Sequence, residues 1–94
     1  MPRNNVFLKK FMISIVLTLC SGGLSFNEIN RKIKSTPATT SNRLRELRDK
    51  GLARLSLVDE RRVYELTEKG RKLVPILERV EALLARAEDI VTGE

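Results

Sequence analysis

Between positions 31 and 45 the sequence gathers Arg31, Lys32, Lys34, Ser35, Thr36, Ala38, Thr39, Ser41, Asn42, Arg43 and Arg45. These are side chains suited to a nucleic acid. A guanidinium grips guanine with two hydrogen bonds, an Asn amide does the same for adenine, and Thr or Ala methyls touch the thymine methyl. Ammonium and hydroxyl groups hold phosphate, which positions a protein without reading sequence. Arg61 and Arg62, farther along, add two more guanidinium groups. Nothing comparable supports catalysis. The chain has no His or Trp and a single Cys, which removes His-based acid–base chemistry, multi-ligand zinc sites and any internal disulfide. Its acids are scattered among basic partners at helical spacing. The expectation is a non-enzyme with no cofactor and no metal.

Charge is distributed unevenly. Residues 1–50 carry ten Lys/Arg against three Asp/Glu, residues 51–70 four of each, and residues 71–94 four against five. A basic first half joined to a near-neutral tail implies that one face meets a polyanion while another part does something else. Ninety-four residues, 41% hydrophobic and 32% charged, make one modest globular core with an appended element.

The elements that must carry these residues follow from caps and periodicity. Asn4 or Asn5 is expected to cap a first helix reaching about Leu19. Its inner stripe is either Phe7, Phe11, Ile15 and Thr18, or Leu8, Met12, Ile15 and Leu19. Arg3, Lys9 and Lys10 precede the apolar run 11–19, which is too short to span a bilayer, and the bulky Leu19 before Cys20 is wrong for a lipoprotein processing box. A cytoplasmic protein with no membrane partner is expected, with Cys20 a small hydrophobe.

Ser21-Gly22-Gly23 turns the chain, and Leu24-Ser25 adds a short extended pair. Ser25 and Glu28 form a capping box for a helix ending near Lys34, with Phe26, Ile29 and Ile33 inward. Thr36-Pro37 opens a third helix over 37–50, closed by Lys50-Gly51, with Thr40, Leu44 and Leu47 inward. Two such helices joined tightly are a helix-turn-helix. Strand-like runs over 52–58 and 62–66, around Asp59-Glu60-Arg61, form a hairpin wing with Ala53, Leu55, Leu57, Tyr64 and Leu66 on its inner face. Thr67 caps the last helix, in which Pro75 predicts a break near Val74.

Placing Leu44 and Leu47 inward turns Ala38, Thr39, Asn42 and Arg45 outward, flanked by Ser41 and Arg43. The second helix of such a motif lies in the major groove, so this is the base-reading set. Glu46 is expected to pair with Asn42 or Lys50, and Asp49 with Arg45. Arg31, Lys32, Lys34, Ser35 and Thr36 suit phosphate. Arg61 and Arg62 suit the minor groove, although Asp59 and Glu60 oppose phosphate there.

From Leu73 onward a second pattern begins. Leu73, Leu77, Val80, Leu84, Ala87 and Val91 step by four and three residues as a heptad seam, and Ile76, Leu83 and Ile90 repeat every seven. One small domain cannot cover so wide a stripe, so a homodimer is expected, unless the helix packs back on its own first helix.

Four stretches in this order resemble the HxlR family of winged-helix regulators: Leu24-Ser25-Phe26-Asn27-Glu28-Ile29, Ser41-Asn42-Arg43-Leu44-Arg45-Glu46-Leu47, Lys50-Gly51-Leu52 and Tyr64-Glu65-Leu66-Thr67-Glu68-Lys69-Gly70-Arg71. The wing lacks the family's Pro-rich tip, and no cysteine precedes the first core helix. Asp59-Glu60-Arg61 is also similar to the Asp-x-Arg of MarR-like wings.

The resemblance implies a mainly α fold with a small β-hairpin, namely a winged helix-turn-helix over 1–70 and a dimerisation helix over 71–94. The implied function is homodimeric, sequence-specific transcriptional regulation on double-stranded DNA, with no effector legible. An architectural DNA binder and a winged-helix protein-interaction module are the alternatives. The basic cluster at Arg31, Lys32, Lys34, Arg43 and Arg45 weighs against the second.

Overall fold

The computed structural model describes residues 5–93, so Arg3 and Asn4 lie outside the described residues. Asn5 caps a single 3-10 turn, Val6–Leu8, its Oδ1 accepting from the Phe7 amide at 2.8 Å. The chain then breaks at Phe11, whose φ is 70°, before helix α1, Met12–Leu19. The expected single helix is therefore two pieces.

Tertiary contacts flank the break. The Arg43 Nε donates to the Lys10 carbonyl at 2.9 Å, and the Lys9 ammonium pairs with Glu46 at 2.8 Å, drawing this segment against a later helix. The Lys10 ammonium also sits 5.2 Å from the centre of the Phe11 ring. Within α1 the buried stripe is Met12, Ile15, Val16 and Leu19, which is the second of the two expected patterns without Leu8, itself exposed.

Helix α2, Phe26–Ile33, starts on the full capping box: the Ser25 hydroxyl accepts from the Glu28 amide at 3.2 Å and the Glu28 carboxylate from the Ser25 amide at 2.8 Å. It ends at Lys34, in the left-handed region with φ 57°. Helix α3, Pro37–Asp49, begins on the Thr36 cap and stops before Gly51, whose φ of 75° lets the chain turn into the wing.

Strands β1, Ala53–Val58, and β2, Arg61–Leu66, pair antiparallel with Ala53 opposite Leu66 and Val58 opposite Arg61. Asp59 and Glu60 both have positive φ, at 51° and 64°, as a tight two-residue hairpin turn requires. Arg61 is thereby the first residue of the return strand rather than part of the loop. The inner face fades outward: Ala53 is buried, Leu55 half-buried, and Leu57 72% exposed, so the wing leaves the body as it extends.

Val63, on the opposite face from Tyr64 and Leu66, is buried as well. The expected extended pair accounts for this. Leu24 bridges Tyr64 through two backbone hydrogen bonds of 3.0 and 2.7 Å, and Gly23 lies against Val63.

Thr67 caps a one-turn helix α4, Glu68–Arg71, and the chain breaks before α5, Val74–Val91, as Pro75 predicts. Gly70 is buried where α4 presses on the wing base, and a Cβ there would lie 2.1 Å from the Leu52 carbonyl oxygen. One core joins Met12, Ile15, Val16 and Leu19 to Ile29, Ile33, Leu44, Leu47, Leu52, Ala53, Leu66 and Leu77. Among the described residues no helix is long and apolar enough to cross a membrane.

Candidate nucleic-acid interface

Helix α3 is amphipathic in the sense required of a groove-reading helix. Thr40, Leu44 and Leu47 are buried, while Ala38, Ser41, Asn42 and Arg45 on the other side are exposed. Steps of three and four residues stack Ala38, Asn42 and Arg45 along one outward line. The Thr36 hydroxyl caps the helix by accepting from the Thr39 amide at 3.2 Å, and it donates to the Thr39 hydroxyl at 3.0 Å. Thr39 is half-buried, with its hydroxyl tied into the cap.

Two expected partnerships change. Glu46 bonds Lys9 instead of Asn42 or Lys50, and chiefly that hydrogen bond holds its carboxyl below the ordinary carboxylate value. The described residues contain no Arg45–Asp49 ion pair within 4.0 Å; the pairs they do form are Lys9–Glu46, Arg54–Glu65 and Arg61–Glu28. Arg45 therefore keeps its guanidinium available. Arg43 is partly committed, because its Nε donates to the Lys10 carbonyl and the residue is half-buried. Its place is on the flank of α3 that meets the amino-terminal segment.

Arg31, Lys32 and Lys34 stand exposed at the end of α2 and its cap, and Thr36 is exposed at the head of α3. Ser35, between them, is half-buried and donates to the Thr36 carbonyl at 3.3 Å. The angle between the two helices is held by a contact that the sequence did not announce. The Thr40 hydroxyl, fully buried, donates to the Asn30 side-chain oxygen across the turn. The available signal was a Thr at a core position of α3, since a buried hydroxyl requires a partner.

On the wing, Arg61 is not a free minor-groove probe. Its Nη2 donates to Glu28 Oε1 at 3.3 Å, tying the hairpin to the head of α2. Glu28 is held below the ordinary carboxylate value first by the Ser25 amide, then by the Ser25 hydroxyl, with Arg61 adding to both. Arg62 is exposed and borders a cavity of about 320 Å³ with Phe26 and Tyr64. Two further arginines, Arg48 and Arg54, were not in the expected set. They stand at a cleft between α3 and β1, brought together by the strand's return rather than by any local spacing.

The carboxy-terminal stripe divides. Leu77 is buried in the chain's own core, and Leu73 and Val80 are half-buried, so the start of the seam packs inward. Ile76, Leu83, Leu84, Ala87, Ile90 and Val91 are exposed. Cys20 is half-buried with a free thiol. Among the described residues no group of three or more Cys, Asp or Glu is placed to hold a metal.

A helix pair with a buried inner face and an open polar outer face, followed by a two-stranded hairpin, defines a winged helix-turn-helix protein. Residues 6–89 match the HxlR-like helix-turn-helix family, and the chain belongs to it. The match bears out the first of the two family resemblances in the sequence.

A relative in Methanothermobacter thermautotrophicus, named an uncharacterised HTH-type transcriptional regulator, is 41% identical over 73 residues, covering 73% of this chain and 56% of that protein. The chain thus spans little more than half of that relative's length. YvaP of Bacillus subtilis, also named an uncharacterised HTH-type transcriptional regulator, is 32% identical over 77 residues, covering 78% of this chain and 71% of that one. Among solved structures, reduced YodB of B. subtilis has a TM-score of 0.75 at 26% identity, covering 82% of this chain and 79% of that one. MepR, a transcription regulator of the Staphylococcus aureus multidrug efflux pump MepA, has a TM-score of 0.70 at 26% identity, covering 90% of this chain and 64% of that one.

Proposed function

We propose that this chain is a sequence-specific, duplex-DNA-binding transcriptional regulator that acts as a homodimer. The observation that carries the reading is the outward line of α3. Ala38, Asn42 and Arg45 are exposed, and Arg45 has no carboxylate within ion-pair distance among the described residues. With α3 in the major groove, Asn42 and Arg45 meet base edges while Ala38 and Thr39 stand where methyl contacts form. Arg31, Lys32, Lys34, Ser35, Thr36 and Ser41 meet the flanking phosphates, and Arg62 approaches from the wing.

Homodimerisation is supported by the exposed half of the seam. Leu83, Leu84, Ile90 and Val91 are 57–78% exposed on one long helix, a patch that a second copy of the same helix can cover about a two-fold axis. Such an axis sets two α3 helices about one DNA turn apart and requires a near-palindromic operator. In this arrangement residues 1–70 hold the DNA and residues 71–94 hold the partner. Exposure of this face also disfavours the alternative in which the whole helix folds back on α1.

A mobility-shift titration of the full chain against genomic fragments, repeated across a salt series, tests the reading. The expected result is a minority of fragments bound tightly, with affinity falling steeply as salt rises. Equal affinity for all fragments points instead to an architectural binder, and no shift at all to an interaction module.

A further inference from the structure

Apart from Arg45, the cleft between α3 and β1 has no part in the reading above. It is about 440 Å³ and is lined by Arg45, Arg48 and Asp49 from the helix with Ala53, Arg54 and Leu55 from the strand. Three guanidinium groups converge there against one carboxylate. Neither Arg45 nor Arg48 has an acid within 4.0 Å among the described residues, and Arg54 has only Glu65, at a loose 3.6 Å. Glu65 itself is engaged first by the Ser56 side chain, which with Arg54 holds its carboxyl below the ordinary value. The helix dipole accounts for a cation at Arg48, in the last turn of α3, but not for Arg54 on a strand or Arg45 a turn earlier.

Position gives the cleft its meaning. The steps of the helix put Arg48 on the flank of α3 opposite Arg43, so one flank faces the amino-terminal segment and the other faces the wing. Arg45 belongs both to the outward line and to the cleft wall, which makes the two continuous. A helix seated in the major groove has a sugar–phosphate strand along each flank. With α3 seated as proposed, this cleft opens on the flank that faces the wing-side strand.

We infer that the α3–β1 cleft is a phosphate seat, in which Arg48 and Arg54 clamp the DNA backbone on the wing side and fix how deeply Arg45 enters the groove. The inference rests on the proposed DNA-binding function. The ligand chemistry is a phosphate oxyanion held by forked guanidinium donors, and its source is the duplex backbone rather than a free anion.

The test uses the full chain and a mixed-sequence duplex of about two helical turns, with binding read by fluorescence anisotropy across a salt series. The double variant R48A/R54A is expected to flatten the plot of log affinity against log salt by about 3.6, the worth of two phosphates on each protomer of the bound dimer, and to weaken binding to this duplex. R48K/R54K is expected to keep most of the parental slope, because a point charge still neutralises phosphate. Arg79→Ala, on α5, keeps it entirely. Both cleft arginines are exposed, so the double variant retains the fold and its melting curve checks this.

A double variant that loses less than two phosphates' worth of slope, one per protomer, on a duplex the parent binds, overturns the seat and leaves the proposed function standing. A parent that binds no duplex overturns both. In a second arm, inorganic phosphate is titrated while the arginine Nε–H resonances are followed. Saturable binding of phosphate with an unchanged duplex slope assigns the cleft to a free anion and also overturns the inference.

Discussion

The dimer seam allows its prediction to be worked from exposure. Leu84 lies on the outward stripe of α5 with 58% of its surface still open, whereas Leu77, two turns earlier, is 3% exposed in the core. Fully burying a leucine is worth about 1.5–3 kcal/mol, so covering what Leu84 leaves open is worth about 1–2 kcal/mol per protomer. A two-fold interface uses the residue twice, giving about 2–4 kcal/mol per dimer and an increase in dimer Kd of about 30–1000-fold for Leu84→Ala.

Sedimentation equilibrium over a concentration series reads this directly. Leu77→Ala is the comparison. It removes core volume and is expected to cost about 2–5 kcal/mol of folding stability, whereas Leu84→Ala leaves the melting of the dilute monomer unchanged. A parent that remains monomeric at high micromolar concentration refutes the seam. So does a Leu84→Ala protein whose dimer Kd lies within threefold of the parent's.

Other outcomes follow from contacts already described. Arg45→Ala is expected to relax base preference at one operator position by about 1–3 kcal/mol, read by a binding-site selection; a uniform loss over all sequences would demote Arg45 to a backbone contact. Gly70→Ala places a Cβ 2.1 Å from the rigid Leu52 carbonyl. The expected cost is at least the 1–3 kcal/mol of ordinary overpacking, seen as a melting-temperature drop of about 4–8 °C per kcal/mol. A melting temperature within experimental error of the parent's would show that α4 can shift freely. Glu28 contributes stability as a carboxylate because its folded-state value is depressed, chiefly by the Ser25 amide. That contribution is present above the ordinary carboxylate value and lost as pH falls through the depressed one. Glu28→Gln keeps the cap but not the charge, so its thermal deficit at neutral pH is expected to vanish as both proteins are acidified.

Most of the frame was legible because it is written in local chemistry. Ser25 with Glu28, Thr36 with Pro37, and Thr67 each mark a helix start that the structure reproduces, and Pro75 marks the break before α5. What was not legible came from residues far apart in the chain. The apolar pattern runs unbroken through Phe11, so the left-handed break there is invisible until Arg43 and Glu46 take hold of Lys10 and Lys9. For the same reason the engagement of Arg43, a flanking residue on a helical wheel, is not visible in the sequence. The pairing of Arg61 with Glu28 joins a wing to a helix cap across 33 positions, and periodicity carries no trace of it. Val63 defeats strict alternation because Leu24 supplies part of a third strand.

These long-range contacts also account for an asymmetry around α3. On the flank facing the amino-terminal segment the helix is closed by Lys9–Glu46 and by Arg43 on the Lys10 carbonyl, while on the wing flank Arg48 has no acid within ion-pair distance among the described residues. Exposed ion pairs of this kind contribute little to stability, about 0–1 kcal/mol each, so their effect is mainly one of orientation. The Thr40–Asn30 hydrogen bond acts the same way from beneath, fixing α3 against α2. A helix held on one flank and underneath presents a fixed outer line, which lowers the ordering cost of binding. Arg45 on the outward line and Arg48 on the wing flank have no acid within ion-pair distance among the described residues, so a polyanion there can supply the counter-charge that the protein does not.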